Sequence, residues 1–281
     1  VSSPEAKGPA RLRLAEAIGL GLLHGPAELV PISSSGHLTV VPYLARWEYA
    51  DLDGELRKAF EVALHAGTAL ALVVGLRAEV REWLTEARPR LAGLIIGSLL
   101  PPVPLGFLLE EPIERRLGTP GSIAVGLILG GGLLAWADTS PQERDHTEAG
   151  FGDALWLGVA QACALMPGVS RNGATLTAAR LLRFKRIDAN VLSWQVALPV
   201  IGGATALKLA GLARDGLPEG ATVPFLAGAT AAFGSTLAAT WAVDHVERDH
   251  SLAPFAVYRI GLGAAVLRRV WRQRTPRRAA R

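Results

Sequence analysis

Residues 20–39 read LGLLHGPAELVPISSSGHLT, an apolar run that interrupts itself. Pro26 and Pro31 each lack an amide hydrogen and crowd the preceding helical turn. His24, Glu28 and His37 are ionisable, and Ser33-Ser34-Ser35-Gly36 supplies hydroxyls and a permissive backbone before the next apolar run. The pattern predicts helix, break, polar turn, helix. In hydrocarbon such a stretch is costly, and ionisable residues within it mark a functional site. The fold therefore turns on whether its surroundings are hydrocarbon.

Half of the 281 residues are hydrophobic and 19% are charged, against about 25% charged in an ordinary soluble domain. Blocks at 58–76, 91–110, 120–137, 188–211, 222–243 and 253–270 approach the roughly 20 residues that a helix needs to cross a bilayer core. We expect an all-α integral membrane protein with about six transmembrane helices. The alternative is a soluble helical protein rich in Ala and Leu, and the block 120–137, with no charge at all, weighs against it. Cys163 is the only cysteine, which excludes an intramolecular disulfide and a cysteine metal site; its apolar setting predicts a small core residue. The opening VSSPEAKGPARLR lacks an apolar signal core, so a spanning segment is expected to serve as insertion signal. The basic tail Arg268–Arg281 reads as a juxtamembrane segment at the cytoplasmic face or against anionic lipid, so no nucleic acid partner is expected.

The opening pattern occurs twice. LGVAQACALMPGVSRNGATLT at 157–177 is again an apolar run, a break, a polar turn and an apolar run. An offset of 137 residues pairs Leu20 with Leu157, Gly21 with Gly158, His24 with Gln161, Ser33 with Ser170 and Gly36 with Gly173. The same offset pairs Thr68-Ala69-Leu70 with Thr205-Ala206-Leu207, and Gly97-Ser98 with Gly234-Ser235. The chain is thus expected to be one membrane domain holding two repeats. The first covers 12–137, with a re-entrant hairpin at 12–45 and three spans. The polar segment 138–150 links it to the second, 151–271, with a hairpin at 153–184 and three spans. Three spans per repeat make the second inverted, so that the two hairpins enter from opposite faces and meet near the midplane.

Together the hairpins offer the groups for chemistry on a phosphorylated lipid. The first supplies Ser33, Ser34, Ser35, His37 and Glu28; the second supplies Ser170, Arg171, Asn172 and Thr175. Both polar turns open a helix, whose free N–H groups and dipole attract anions, and Arg171 adds a planar charge suited to phosphate. His37 lies three residues beyond Ser34, so the two can share a helix face and exchange a proton with a serine nucleophile or a leaving oxygen. Glu28 could orient His37 or help to bind a divalent cation. Simpler roles stand beside these. Serines commonly cap helices, and His24, Gln161 and His65 could be interhelical hydrogen-bond formers.

With Glu28-Leu-Val-Pro-Ile-Ser-Ser-Ser-Gly-His37 and Pro167-Gly-Val-Ser-Arg-Asn-Gly-Ala-Thr175, the chain resembles the bacterial undecaprenyl-diphosphate phosphatases of the bacitracin-resistance type. Phe60-Glu61-Val62 and Ala197-Leu-Pro199 are lesser matches, and the resemblance runs from about 12 to 270. It implies removal of one phosphate from undecaprenyl diphosphate, to give the lipid carrier of wall synthesis, at the outer side of the cytoplasmic membrane. By position it implies Ser34 as nucleophile, His37 as acid/base, Glu28 as catalytic carboxylate and Arg171 as phosphate clamp. Ser33, Ser35, Gly36, Ser170, Asn172, Gly173 and Thr175 would bind the diphosphate. A divalent cation, Mg or Ca, is implied as cofactor, with Glu28 and His24 as its ligands here. Three positions depart from the usual pattern: His24 stands for Glu or Gln, His65 for Gln and Asn172 for Ser. Partners expected are the diphosphate substrate and membrane lipid, and the architecture is compatible with a homo-oligomer. A transporter or flippase for an isoprenyl phosphate, or a non-catalytic lipid-phosphate-binding paralogue, would use the same groups without needing Ser34 and His37 as a reactive pair.

Overall fold

The computed structural model describes residues 11–77, 81, 89–217, 220–246 and 250–274. The part of the basic tail beyond Arg274 lies outside the described residues. The chain forms helices α1 (Leu14–Leu29), α2 (Ser34–Ala45), α3 (Gly54–Gly75), α4 (Pro89–Leu99), α5 (Pro102–Leu117) and α6 (Pro120–Asp138). After the polar connection come α7 (Phe151–Cys163), α8 (Arg171–Leu181), α9 (Arg186–Asp215), α10 (Thr222–Val246) and α11 (Ala253–Arg274). Among the described residues the sole β pairing is an isolated bridge between Arg144 and Phe184.

Among the described residues five stretches are long and apolar enough to cross a membrane: Gly54–Gly75, Pro89–Leu117, Pro120–Asp138, Arg186–Arg214 and Thr222–Ala242. They cover five of the six expected blocks. The block 253–270 forms a helix of 22 residues, long enough for roughly 30 Å of hydrocarbon, but its arginines leave it short of the required apolarity. Arg259 explains part of this: it is fully buried, so the charge faces protein rather than lipid. The second stretch is divided at Leu100-Pro101, between α4 and α5. Large apolar side chains such as Phe107, Leu108, Leu129 and Val223 are exposed on the outside, as a lipid-facing surface requires. Trp136, Trp156, Trp241 and Trp271 are also exposed, at positions fitted to interfacial anchoring. Cys163 is exposed, not a core residue, because the end of α7 presents it outward.

Packing between helices rests on small residues, which allow backbones to approach where apolar surface alone gives no preference over lipid. Helix α1 lies on α10: a Cβ on Gly25 would collide with Ser235 and Thr236, and Ser235 Oγ donates to the Gly21 carbonyl at 3.0 Å. Helix α7 lies on α4 in the corresponding way. A Cβ on Gly158 would stand 2.7 Å from the Ser98 carbonyl oxygen, to which Gln161 Nε2 donates at 3.2 Å. Each hairpin thus packs its first helix against a helix of the other half of the chain.

The connection 139–150 is tied to the fold by ion pairs. Arg144 donates to both Asp153 oxygens at 2.9 and 2.8 Å, and Lys185 reaches Asp145 at 2.7 Å. Asp153 stands at the start of α7, outside the spanning helices. Burial pushes its carboxyl up, but Arg144 and the Gly150 N–H outweigh burial and hold it below the usual carboxylate range.

Candidate active site

Both hairpins break in the same manner. Ser33 caps α2 and Ser170 caps α8; each hydroxyl accepts from the amide three residues on, Gly36 N at 3.2 Å and Gly173 N at 3.1 Å. Both caps have positive φ, 79° and 45°, a costly backbone for a residue with a Cβ. The helices also end alike, with Arg46 and Arg183 at φ 60° and 68°. The four non-glycine residues with positive φ among those described are therefore two pairs at the 137-residue offset. The capping serines satisfy the third amide of each helix, which leaves those of Ser34 and Ser35, and of Arg171 and Asn172, at the helix mouths.

The two mouths open on one cavity of about 160 Å³. Glu28, Ser33, Ser34, Ser35, Ser170, Arg171 and Asn172 line it, together with Ala27, His65 and Ala164. At its centre, Ser34 Oγ donates to Glu28 Oε2 at 2.5 Å. Arg171 Nη2, from the other hairpin, donates to Glu28 Oε1 at 3.0 Å. A serine hydroxyl, a carboxylate able to take its proton, a guanidinium and two helix N-termini thus share one small space. That set suits an anion with phosphate geometry beside a potential nucleophile.

With this geometry in view, the comparison with known proteins is specific. Residues 17–265 match the family described as Bacitracin resistance protein BacA. The chain belongs to this family. A protein of Geobacter sulfurreducens named undecaprenyl-diphosphatase is 41% identical over 262 residues, 88% of this chain and 95% of its own. Proteins of the same name from Geobacter metallireducens and Gemmatimonas aurantiaca are 38% and 37% identical, over 90% and 89% of this chain and 97% and 96% of theirs.

Within this BacA-family chain the remaining expected site residues fall into two groups. Asn172 touches the cavity but also stitches the hairpins, with Nδ2 donating to the Leu29 carbonyl at 2.5 Å and Oδ1 accepting from Ser193 at 2.9 Å. Thr175 is wholly buried and bonded to Ser193 Oγ at 2.6 Å; it does not line the cavity, and neither do Gly36 and Gly173. His37 is fully buried, and it does not line the cavity. Its Nδ1 must donate to the Ser33 carbonyl, at 2.7 Å, so its Nε2 accepts from the Tyr258 hydroxyl, also at 2.7 Å. The expected pairing of Ser34 with His37 is absent among the described contacts, because the Ser34 hydroxyl is turned to Glu28.

Tyr258 and Arg259 escaped the sequence reading, which gave His65 only as an interhelical hydrogen-bond former and a departure from the family pattern. His65 lines the cavity, and its ring meets that of His24 edge-on, with centroids 4.5 Å apart. Tyr258 stacks on His37 at a 10° interplanar angle. Arg259 donates to the Pro31 carbonyl at 3.3 Å and to the Gly168 carbonyl at 3.2 Å, equivalent positions in the two breaks. A lone arginine inside the apolar run AVYRIGLGAAVL was the available signal for Arg259. Nothing in the sequence links Tyr258 to His37 across 221 residues.

Proposed function

We propose that this protein is an undecaprenyl-diphosphate phosphatase, which removes the terminal phosphate of the C55 diphosphate and yields undecaprenyl phosphate. The observation that carries this reading is the Ser34–Glu28–Arg171 chain at two convergent helix N-termini. In the proposed reaction Ser34 Oγ attacks the terminal phosphorus. The new Oγ–P bond forms as the bridging P–O bond breaks, and undecaprenyl phosphate leaves with the electron pair. Glu28 takes the serine proton and passes it to the departing phosphate oxygen, which restores the carboxylate. Water then attacks the phosphoserine, its proton passing to Glu28 and on to the serine oxygen, and inorganic phosphate is released. Arg171 and the amides of Ser34, Ser35, Arg171 and Asn172 hold the phosphoryl oxygens and oppose the charge that builds on them. His37 takes up a proton at Nε2 from the Tyr258 hydroxyl, its donor there, and returns it the same way.

The further details of the proposal are these. The two halves form an inverted-topology repeat, supported by the swapped packing of α1 on α10 and α7 on α4 and by the paired backbone features. The protein resides in the bacterial cytoplasmic membrane with its site facing outward. A divalent cation assists; His24, Glu28 and His65, whose ligand atoms lie within 4.8 Å of one another, would hold it and supply positive charge against the diphosphate.

The test is phosphate release from farnesyl or undecaprenyl diphosphate by the detergent-purified chain. Wild-type release, abolished in Ser34→Ala and Arg171→Ala, supports the hydrolase. Lipid-phosphate binding without release under any divalent cation overturns it in favour of a carrier or binding role.

A further inference from the structure

His24 and Glu28 lie one helical turn apart on α1, and His65 faces them from α3. His24 is fully buried. Its Nδ1 is fastened to Thr68 Oγ1 at 2.8 Å, and Thr68 is bonded in turn to Thr236 of α10 at 3.2 Å. Its other nitrogen, Nε2, is buried with no hydrogen-bond partner. Leaving a buried polar atom bare is costly. His65 makes a ring contact with His24 but no hydrogen bond among the described residues, and it opens on the cavity. The interhelical bond of His24 uses Nδ1 alone and leaves Nε2 over. Two imidazoles and a carboxylate offer ligand atoms that lie within 4.8 Å of one another. The ring of His24 is fixed through its far nitrogen, as metal-bound histidines are.

We propose that His24, Glu28 and His65 form a nitrogen-rich metal site that selects a borderline transition ion, Zn²⁺ or Co²⁺, over Mg²⁺ and Ca²⁺. The inference deepens the hydrolase reading and rests on it for the substrate, but not for ion binding. Mg²⁺ demands near-octahedral oxygen ligands and Ca²⁺ takes six to eight oxygens. Here two of three donors are imidazole nitrogens, which suit zinc and its neighbours. Glu28 has capacity to spare: each of its oxygens accepts one bond, from Arg171 or from Ser34, and keeps a second lone pair. The ligating tautomer of His24 is the one in which Nδ1 donates to Thr68 and Nε2 carries the lone pair. His65 and Glu28 border the cavity, so an ion they held would lie beside the space for the diphosphate.

The experiment uses the full chain in detergent, stripped with a chelator and titrated with Co²⁺ alone. Expected are one Co²⁺ per chain with visible ligand-field absorption, displacement by an equivalent of Zn²⁺, and no displacement by about a thousandfold excess of Mg²⁺. Loss of one ligand in His24→Gln or His65→Gln should weaken Co²⁺ by about 10²-fold or more. Nitrogen hyperfine coupling in the Cu²⁺-loaded wild type, read by electron paramagnetic resonance, gives an answer that needs no variant to fold. Coupling to two imidazoles supports the site. Oxygen-only coordination, absent Co²⁺ uptake, or uptake unchanged in both variants overturns it. Phosphate release by the same preparation separates the two readings. Release without Co²⁺ binding overturns the metal site alone, and Co²⁺ binding without release supports the site while overturning the hydrolase.

Discussion

Glu28→Gln isolates the proton acceptor from the geometry around it. The carboxylate now accepts from Ser34 at 2.5 Å and from Arg171 at 3.0 Å. Glutamine has the same shape. Its oxygen can go on accepting from Arg171, which leaves its NH₂ facing Ser34. That group is a donor, so the Ser34 oxygen becomes the acceptor and its proton has no base to go to. Loss of a positioned base costs about 10²–10⁴ in rate, or roughly 3–5 kcal/mol at 1.36 kcal/mol per tenfold. Binding should move the other way, since one negative charge has been removed beside an anionic substrate. The assay is the initial rate of phosphate release from farnesyl diphosphate, run beside equilibrium binding of a non-hydrolysable methylene diphosphonate analogue. We expect kcat to fall by at least about 10²-fold with analogue affinity held or improved. A variant within tenfold of wild type, or one whose rate and affinity fall together, would refute Glu28 as the base and leave it a positioning group for Arg171.

Tyr258→Phe keeps the stack on His37 and removes the donor to Nε2; if His37 exchanges its proton through that hydroxyl, kcat falls by about 10²-fold at constant KM, and a change within twofold excludes the relay. Arg259→Met strips two carbonyls, Pro31 and Gly168, of their shared donor, at about 1–3 kcal/mol for each left bare. The unfolding midpoint should drop and activity with it, although Ser34, Glu28 and Arg171 are untouched; an unchanged midpoint would show that the hairpin breaks do not need the clamp. Asp153 contributes to the pH dependence of stability. Its folded carboxyl lies below the ordinary value, so its contribution is present above the unfolded value near 4 and is lost as pH falls through the folded one. In a melting series from pH 6 to below 4, wild type should lose more stability than Asp153→Asn, and parallel curves would contradict the Arg144–Asp153 link.

Residues 20–39 determined much by themselves. The prolines, the serine-glycine turns and the constant 137-residue offset pointed to two interrupted helices, and the structure has a helix break at each place, capped by Ser33 and by Ser170. Membrane character followed from the apolar blocks, because the width of hydrocarbon sets the length of a span. Arg171, Glu28 and Ser34 stood out for a related reason, since polar groups inside such blocks are rarely idle, and the structure places all three at one cavity. The tertiary structure decided who meets whom. Ser34 lies three residues from His37, a spacing that suits pairing on a helix, yet its hydroxyl goes to Glu28 because the helix break folds α1 back over the mouth of α2. His37 looks away, to a tyrosine 221 residues on. His24 and His65 belong to separate helices, and only the packing of α1 and α3 around α10 sets their rings together over Glu28. Periodicity reports which face of a helix is apolar; the partner across that face is a matter of which helix packs there, and no spacing along the chain encodes it.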